Sequence, residues 1–134
     1  MSELHDIAKC AREASYVMAS LSSDVKNQAL ANVASYLKSA KEDIFAANKI
    51  DLEEAEKHNL EPPLIKRLKF NDDKLTDVVS GIESLIGLND PVGRITLRTT
   101  LDDGRELTRV TCPIGVIGVI FESRPDALVQ IASL

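Results

Sequence analysis

Basic residues are in the minority. Sixteen Lys and Arg against 21 Asp and Glu give a net charge of −5, which argues against a nucleic-acid binder held by a general basic surface. Glycine and proline are also scarce, at 6 and 5 in 134 residues, and this excludes collagen-like and low-complexity chains. The two cysteines, Cys10 and Cys112, lie far apart with no Cys or His at ligand spacing, so the sequence carries neither a disulfide framework nor a zinc site. They read as reduced thiols, and the expected location is cytoplasmic. No stretch approaches the roughly 18 apolar residues of a membrane span, and the first residues lack the basic and apolar regions of a signal peptide. What is present, 44% hydrophobic and 28% charged residues, is the composition of a globular chain with a core.

Charge is unevenly spread. Every Lys lies in 1–90, whereas 91–134 balances Arg94, Arg98, Arg105, Arg109 and Arg124 against Asp102, Asp103, Glu106, Glu122 and Asp126. Apolar residues recur at the helical period from Leu4 to Leu21, again from Val25 to Leu37, and from Ile44 to Ala55, where His58-Asn59 and Pro62-Pro63 end the pattern. Leu64 to Phe70 reads as a short helical turn. Asn71-Asp72-Asp73 then caps a fourth main helix through Leu75, Val78, Val79, Ile82 and Ile86, with Gly87 as its stop. Strand-like alternation follows on both sides of Asp102-Asp103-Gly104, which predicts an antiparallel hairpin over 94–112 with an outward Arg face. Pro113 to Phe121 is apolar on both faces, the mark of a strand buried between layers. A polar loop, Glu122-Ser123-Arg124-Pro125-Asp126, leads into a helix that begins at Ala127. A strand with two apolar faces needs neighbours that one short helix cannot supply, so the chain reads as the first third of a larger α/β protein.

The strand–loop–helix unit is where chemistry is expected. Arg124 stands before a proline suited to a first helical position, where free N–H groups attract anions, and its guanidinium can grip phosphate or carboxylate. The same residue can instead form an ion pair with Glu122 or Asp126 that ties the loop, and the residues alone leave both readings open. No Gly-x-Gly-x-x-Gly or phosphate-loop lysine motif occurs; Gly115 and Gly118 inside the apolar run are read as close-packing positions. Cys10 falls on an apolar helical stripe and is expected in the core, and Cys112 has no nearby activating His. His5 and His58 are isolated, and Glu53-Glu54-Ala55-Glu56-Lys57 reads as a solvated helix face with an internal ion pair. No catalytic triad, carboxylate pair or metal site can be assembled from these residues.

Several segments in order, Lys26-Asn27-Gln28-Ala29-Leu30, Ala47-Asn48-Lys49-Ile50-Asp51, Asp90-Pro91-Val92-Gly93 and above all 113–125 with its Phe121-Glu122-Ser123-Arg124-Pro125 ending, resemble the N-terminal part of the γ-glutamyl phosphate reductases. These are the glutamate-5-semialdehyde dehydrogenases of the aldehyde dehydrogenase superfamily, in which a Glu-x-Arg-Pro loop at this point is peculiar to the reductase. Fungal members look most similar in the loop and in the Asp-Asp-Gly turn. The resemblance implies an α/β fold, here an N-terminal fragment of an aldehyde dehydrogenase-like architecture. Residues 1–90 would form the helical part of the cofactor-binding domain, 91–112 a hairpin serving oligomerisation, and 113–134 the first strand and helix start of the dinucleotide-binding domain. It also implies NADPH-dependent reduction of L-glutamyl 5-phosphate to L-glutamate 5-semialdehyde and phosphate in proline biosynthesis, a functional link to glutamate 5-kinase, and a homo-oligomer when full length. In the family a cysteine thiol attacks the acyl phosphate and hydride reduces the thioester; that nucleophile is expected beyond Leu134 and matches neither Cys10 nor Cys112. Only Glu122, Ser123, Arg124 and Pro125 carry over, as residues lining the nicotinamide and substrate-phosphate end of the cleft, and Asp126 departs from the Asn of many bacterial members. The competing readings are a non-catalytic helical interaction module whose ribbon and last strand pair with a partner chain, and another aldehyde dehydrogenase-like enzyme.

Overall fold

The computed structural model describes residues 3–134, which form helices α1 (Glu3–Met18), α2 (Ser23–Ser39), α3 (Lys41–Lys57), α4 (Pro62–Leu68) and α5 (Asp72–Ile86), strands β1 (Ile95–Asp102) and β2 (Arg105–Val110), and helix α6 (Pro125–Ala132). These fall into two compact units that interleave along the chain. One contains the chain up to Ser23 with Asn89–Gly118, the other Asp24–Leu88 with Val119–Leu134.

In the second unit, α5 supplies the core because its apolar period places Leu75, Val78, Val79 and Ile82 on one face, all buried. Ala34 of α2 and Phe70 join them, with Leu30, Leu37, Ile44, Phe45 and Val129 packed around the rim. The Phe45 and Phe70 rings meet edge to face at 6.4 Å. Asn48 of α3 is the buried polar side chain of this core: its Nδ2 donates to the Leu68 carbonyl at 2.9 Å, and the Phe70 N–H donates to its Oδ1 at 2.7 Å. One amide thereby satisfies both backbone groups where the chain leaves α4.

Helix ends follow the expected chemistry. Asn71 caps α5 by accepting from the Lys74 N–H at 3.2 Å, and α5 stops at Gly87. Helix α3 ends at His58, whose Nε2 lies 3.2 Å from Glu54 Oε1, and Lys57 pairs with Glu54 at 3.0 Å, as the charge run predicted. Pro62 and Pro63 both end the previous pattern and open α4, since a proline N1 gives up no helical hydrogen bond.

The first unit holds the predicted hairpin, antiparallel with Ile95 opposite Val110 and Thr99 opposite Leu107, and exposed throughout. Its turn needs Gly104, which adopts φ 74°, a backbone that a side chain disfavours. The base of the ribbon is tightly tied. Arg94 donates from Nε to the Asp90 carbonyl at 2.8 Å and from Nη2 to the Asn89 carbonyl at 2.6 Å, while Ser23 Oγ reaches Asp90 Oδ2 at 3.2 Å.

Three expectations are corrected here. No residue of α1 is buried and Cys10 is exposed, because nothing in its unit covers the apolar stripe on which it lies. Residues 113–121 form no strand in this chain: a strand needs a hydrogen-bonded neighbour, none is present among the described residues, and Ile114 and Ile120 are 90% and 101% exposed. Gly115 is not a close-packing site, for a Cβ there would meet nothing within 4 Å; it adopts φ 108°, which interrupts the extended run and favours glycine on backbone grounds.

Candidate functional site

The chain enters α6 through Glu122, Ser123 and Arg124, and each step of that entry has a local cause. Ser123 takes a left-handed φ of 52° two residues before α6. Arg124 is the N-cap with φ −140° and makes no side-chain cap bond, and Pro125 fixes the first helical residue. The Ala127 N–H donates to the Arg124 carbonyl at 3.0 Å, closing the first turn. Glu122 and Arg124 are exposed, Ser123 and Pro125 half-buried. The four residues carried over by resemblance are therefore brought together by the chain itself.

Of the two readings of Arg124, the loop-tying ion pair is not formed: no carboxylate among the described residues lies within ion-pair distance of its guanidinium, neither Glu122 nor Asp126. Asp126 turns inward instead. Its side chain is 14% exposed, its Oδ1 is buried without a hydrogen-bond donor, and its counter-charge is Lys74 of α5 at 3.8 Å. No local sequence signal pointed to Lys74, since the contact joins residues on separate helices.

Beside Pro125 lies an apolar hollow of about 320 Å³ lined by Leu37, Ile44, Phe70, Leu128 and Val129 together with Asn48 and Asp51. Its walls suit hydrocarbon, not phosphate. A second hollow, of about 470 Å³ between α2 and α5, contains Lys38 and Lys41, but each is neutralised, by Glu83 at 2.8 Å and Asp72 at 2.6 Å. The hydrogen bond to Asp72 raises the Lys41 ammonium above its ordinary 10.5, against a smaller opposing effect of desolvation. Among the described residues no group of His, Cys, Asp and Glu could hold a metal ion, and no helix is long and apolar enough to cross a membrane.

No family model matches the sequence. Known proteins do. The chain is 57% identical over 132 residues to the gamma-glutamyl phosphate reductase of Pelotomaculum thermopropionicum, covering 98% of this chain and 30% of that protein. It is 47% identical over 133 residues to the enzyme of the same name from Trichormus variabilis, covering 99% of this chain and 31% of that protein. Among solved structures it superposes on the Saccharomyces cerevisiae gamma-glutamyl phosphate reductase with TM-score 0.95 and 40% identity, over 99% of this chain and 34% of that one. The Thermotoga maritima enzyme gives TM-score 0.95 and 37% identity, over 99% and 32%. The chain thus spans about 30% of the length of its curated relatives.

Proposed function

We propose that this chain, which belongs over nearly its whole length with the gamma-glutamyl phosphate reductases, supplies the substrate-phosphate wall of such an enzyme. The reaction is the NADPH-dependent reduction of L-glutamyl 5-phosphate to L-glutamate 5-semialdehyde and phosphate, in the cytoplasm and in the service of proline synthesis. The observation that carries the reading is Arg124, an exposed guanidinium with no carboxylate partner, set at the first turn of α6 within a segment shared with enzymes named for a glutamyl phosphate.

The division of labour follows from the chemistry. An acyl phosphate loses its phosphate when a thiol attacks its carbonyl carbon, and negative charge grows on the departing group. Arg124 offers a planar fork of donors to that charge, and the dipole at the N-terminus of α6 adds to it. Pro125 fixes the backbone that aims them, with Ser123 in its left-handed turn and Glu122 at the mouth of the loop. NADPH would supply the hydride. The residues of this chain do not fit its phosphates: Glu122, Ser123 and Arg124 leading into α6 include no glycine, and the positive-φ glycines Gly93, Gly104 and Gly115 all lie away from helix starts. Nor does either thiol, Cys10 or Cys112, stand where the resemblance puts the nucleophile, which is expected beyond Leu134.

The 134-residue chain alone is therefore expected to consume no NADPH with glutamyl phosphate. Exchanged for the matching part of the Pelotomaculum enzyme, it is expected to give a chimera that does. Spectrophotometric NADPH oxidation checks both; a folded, inactive chimera, or cysteine-dependent turnover by the chain alone, contradicts the reading. Because the substrate is an acyl phosphate of a carboxylic acid, a kinase such as glutamate 5-kinase must supply it.

The ribbon has a second role in this reading, as a subunit contact. It exposes Leu97, Leu101 and Leu107 with no cover of its own, and a lone hairpin is marginal in water. In the complete reductase, Leu97→Asp with Leu107→Asp is expected to shift the oligomer toward smaller species by sedimentation velocity while the subunits stay folded. An unchanged distribution rules the ribbon out as a contact. The relatives share one reductase name, which leaves a non-catalytic helical interaction module as the less favoured reading.

A further inference from the structure

Helix α6 begins with a carboxylate that no hydrogen bond satisfies. Asp126 is its second residue, and a carboxylate in a first helical turn gains from the helix dipole, yet a buried oxygen without a donor needs a counter-charge nearby. Lys74 provides it. Its side chain is 29% exposed, and its Nζ stands 3.8 Å from Asp126 Oδ1, too far for a hydrogen bond and close enough for strong Coulomb attraction in this half-buried setting. The same ammonium donates to the Arg67 carbonyl of α4 at 2.9 Å, and the Lys74 N–H is held by Asn71 Oδ1 at 3.2 Å. One side chain from α5 thus ties the end of α4 to the start of α6.

The loop in front of α6 has little support of its own. Arg124 makes no side-chain cap bond and Ser123 is left-handed, so the direction of the guanidinium depends on where the first turn of α6 is anchored. We propose that Lys74 is the positioning residue of the Glu122–Pro125 loop, its ammonium holding the Asp126 carboxylate and through it the turn that carries Arg124. The effect on catalysis rests on the phosphate-site reading above; the anchoring does not.

Hydrogen exchange in the 134-residue chain separates local from global loosening. The probe is the Ala127 amide, which bonds to the Arg124 carbonyl, and the reference is the Val79 amide within α5. Exposed ion pairs matter little and broken buried ones a great deal, so Lys74→Met at this half-buried site is expected to speed exchange at Ala127 about tenfold more than at Val79. Lys74→Arg should return most of that protection, because the longer fork still reaches both partners. Asp126→Asn, which keeps the volume and removes the charge, should act like Lys74→Met, and the double variant should loosen Ala127 no further than the stronger single one. Equal acceleration at Ala127 and Val79, or no local effect of Asp126→Asn, overturns the proposal. In the complete reductase, Lys74→Met should lower kcat with glutamyl phosphate, leave the KM for NADPH unchanged, and be rescued by Lys74→Arg. Local loosening at Ala127 with intact turnover upholds Lys74 as the anchor and overturns the phosphate-site reading of Arg124.

Discussion

Arg124→Ala in the complete reductase is expected to cost about 2 to 4 kcal/mol of transition-state stabilisation, roughly thirty- to a thousandfold in turnover, the range for removing one preorganised donor from a charge that develops during reaction. On the proposed reading the loss belongs to acyl-phosphate reduction and hardly at all to NADPH affinity. Arg124→Lys keeps the charge and gives up the planar fork, so it should fall between the two. Glu122→Ala is the comparison. Had the two side chains formed an ion pair, both alanine variants would loosen the loop alike, but no such pair exists among the described residues, so the two losses are expected to differ. Turnover per folded molecule, with the folded fraction measured by circular dichroism, decides the matter. Near-normal turnover in Arg124→Ala would falsify the assignment.

Asn48→Ala is expected to lower stability by about 2 to 4 kcal/mol, because it strands the buried Phe70 N–H and the part-buried Leu68 carbonyl at once, each costing on the order of 1 to 3 kcal/mol when left unsatisfied, less some relaxation. The Leu68 carbonyl loses its donor and the Phe70 N–H its acceptor, at the place where Phe70 enters the core. Asn48→Asp sharpens the test: a carboxylate still accepts from the Phe70 N–H but cannot donate to the Leu68 carbonyl. Urea unfolding of the wild-type chain and both variants gives the ranking. A loss below about 0.5 kcal/mol for Asn48→Ala, the usual size of a surface change, would contradict the role assigned to this amide.

How far the sequence could be read depended on whether a pattern carried its own partner. Helix α5 was legible in full: the apolar period, the Asn71 cap and the Gly87 stop are all local, and Leu75, Val78, Val79 and Ile82 are the residues that became buried. The hairpin was legible because Asp102-Asp103-Gly104 sets its turn without outside help. Helix α1 shows the limit. Its stripe has the same period, but periodicity reports a capacity for burial and not the presence of a cover, so Cys10 ends up in solvent. The run 113–121 fails for the same reason, since β-structure is a relation between segments, and Gly115 at φ 108° further disrupts the extension. At the candidate site, Pro125 fixed the start of α6 and with it the place of Arg124. Lys74 and Asn48 were out of reach, because each acts on a backbone or side chain that only tertiary packing brings near.

The interleaving of the two units sets a timetable for synthesis. Ser23 and Asp90, joined by a hydrogen bond in the first unit, are 67 residues apart, so a ribosome adding roughly 5 to 20 residues per second reaches the second of them about 3 to 13 s after the first. Through that interval α1 has emerged while its own unit does not yet exist. Helices α2 to α5 complete meanwhile the set that buries Val78 and Ile82, with short separations between neighbours and rapid closure. Completion of that unit leaves the stripe of Leu4, Ile7, Val17 and Met18 uncovered as well, so the nascent chain and the finished one present the same apolar face. That stripe is where a holdase chaperone would first find purchase.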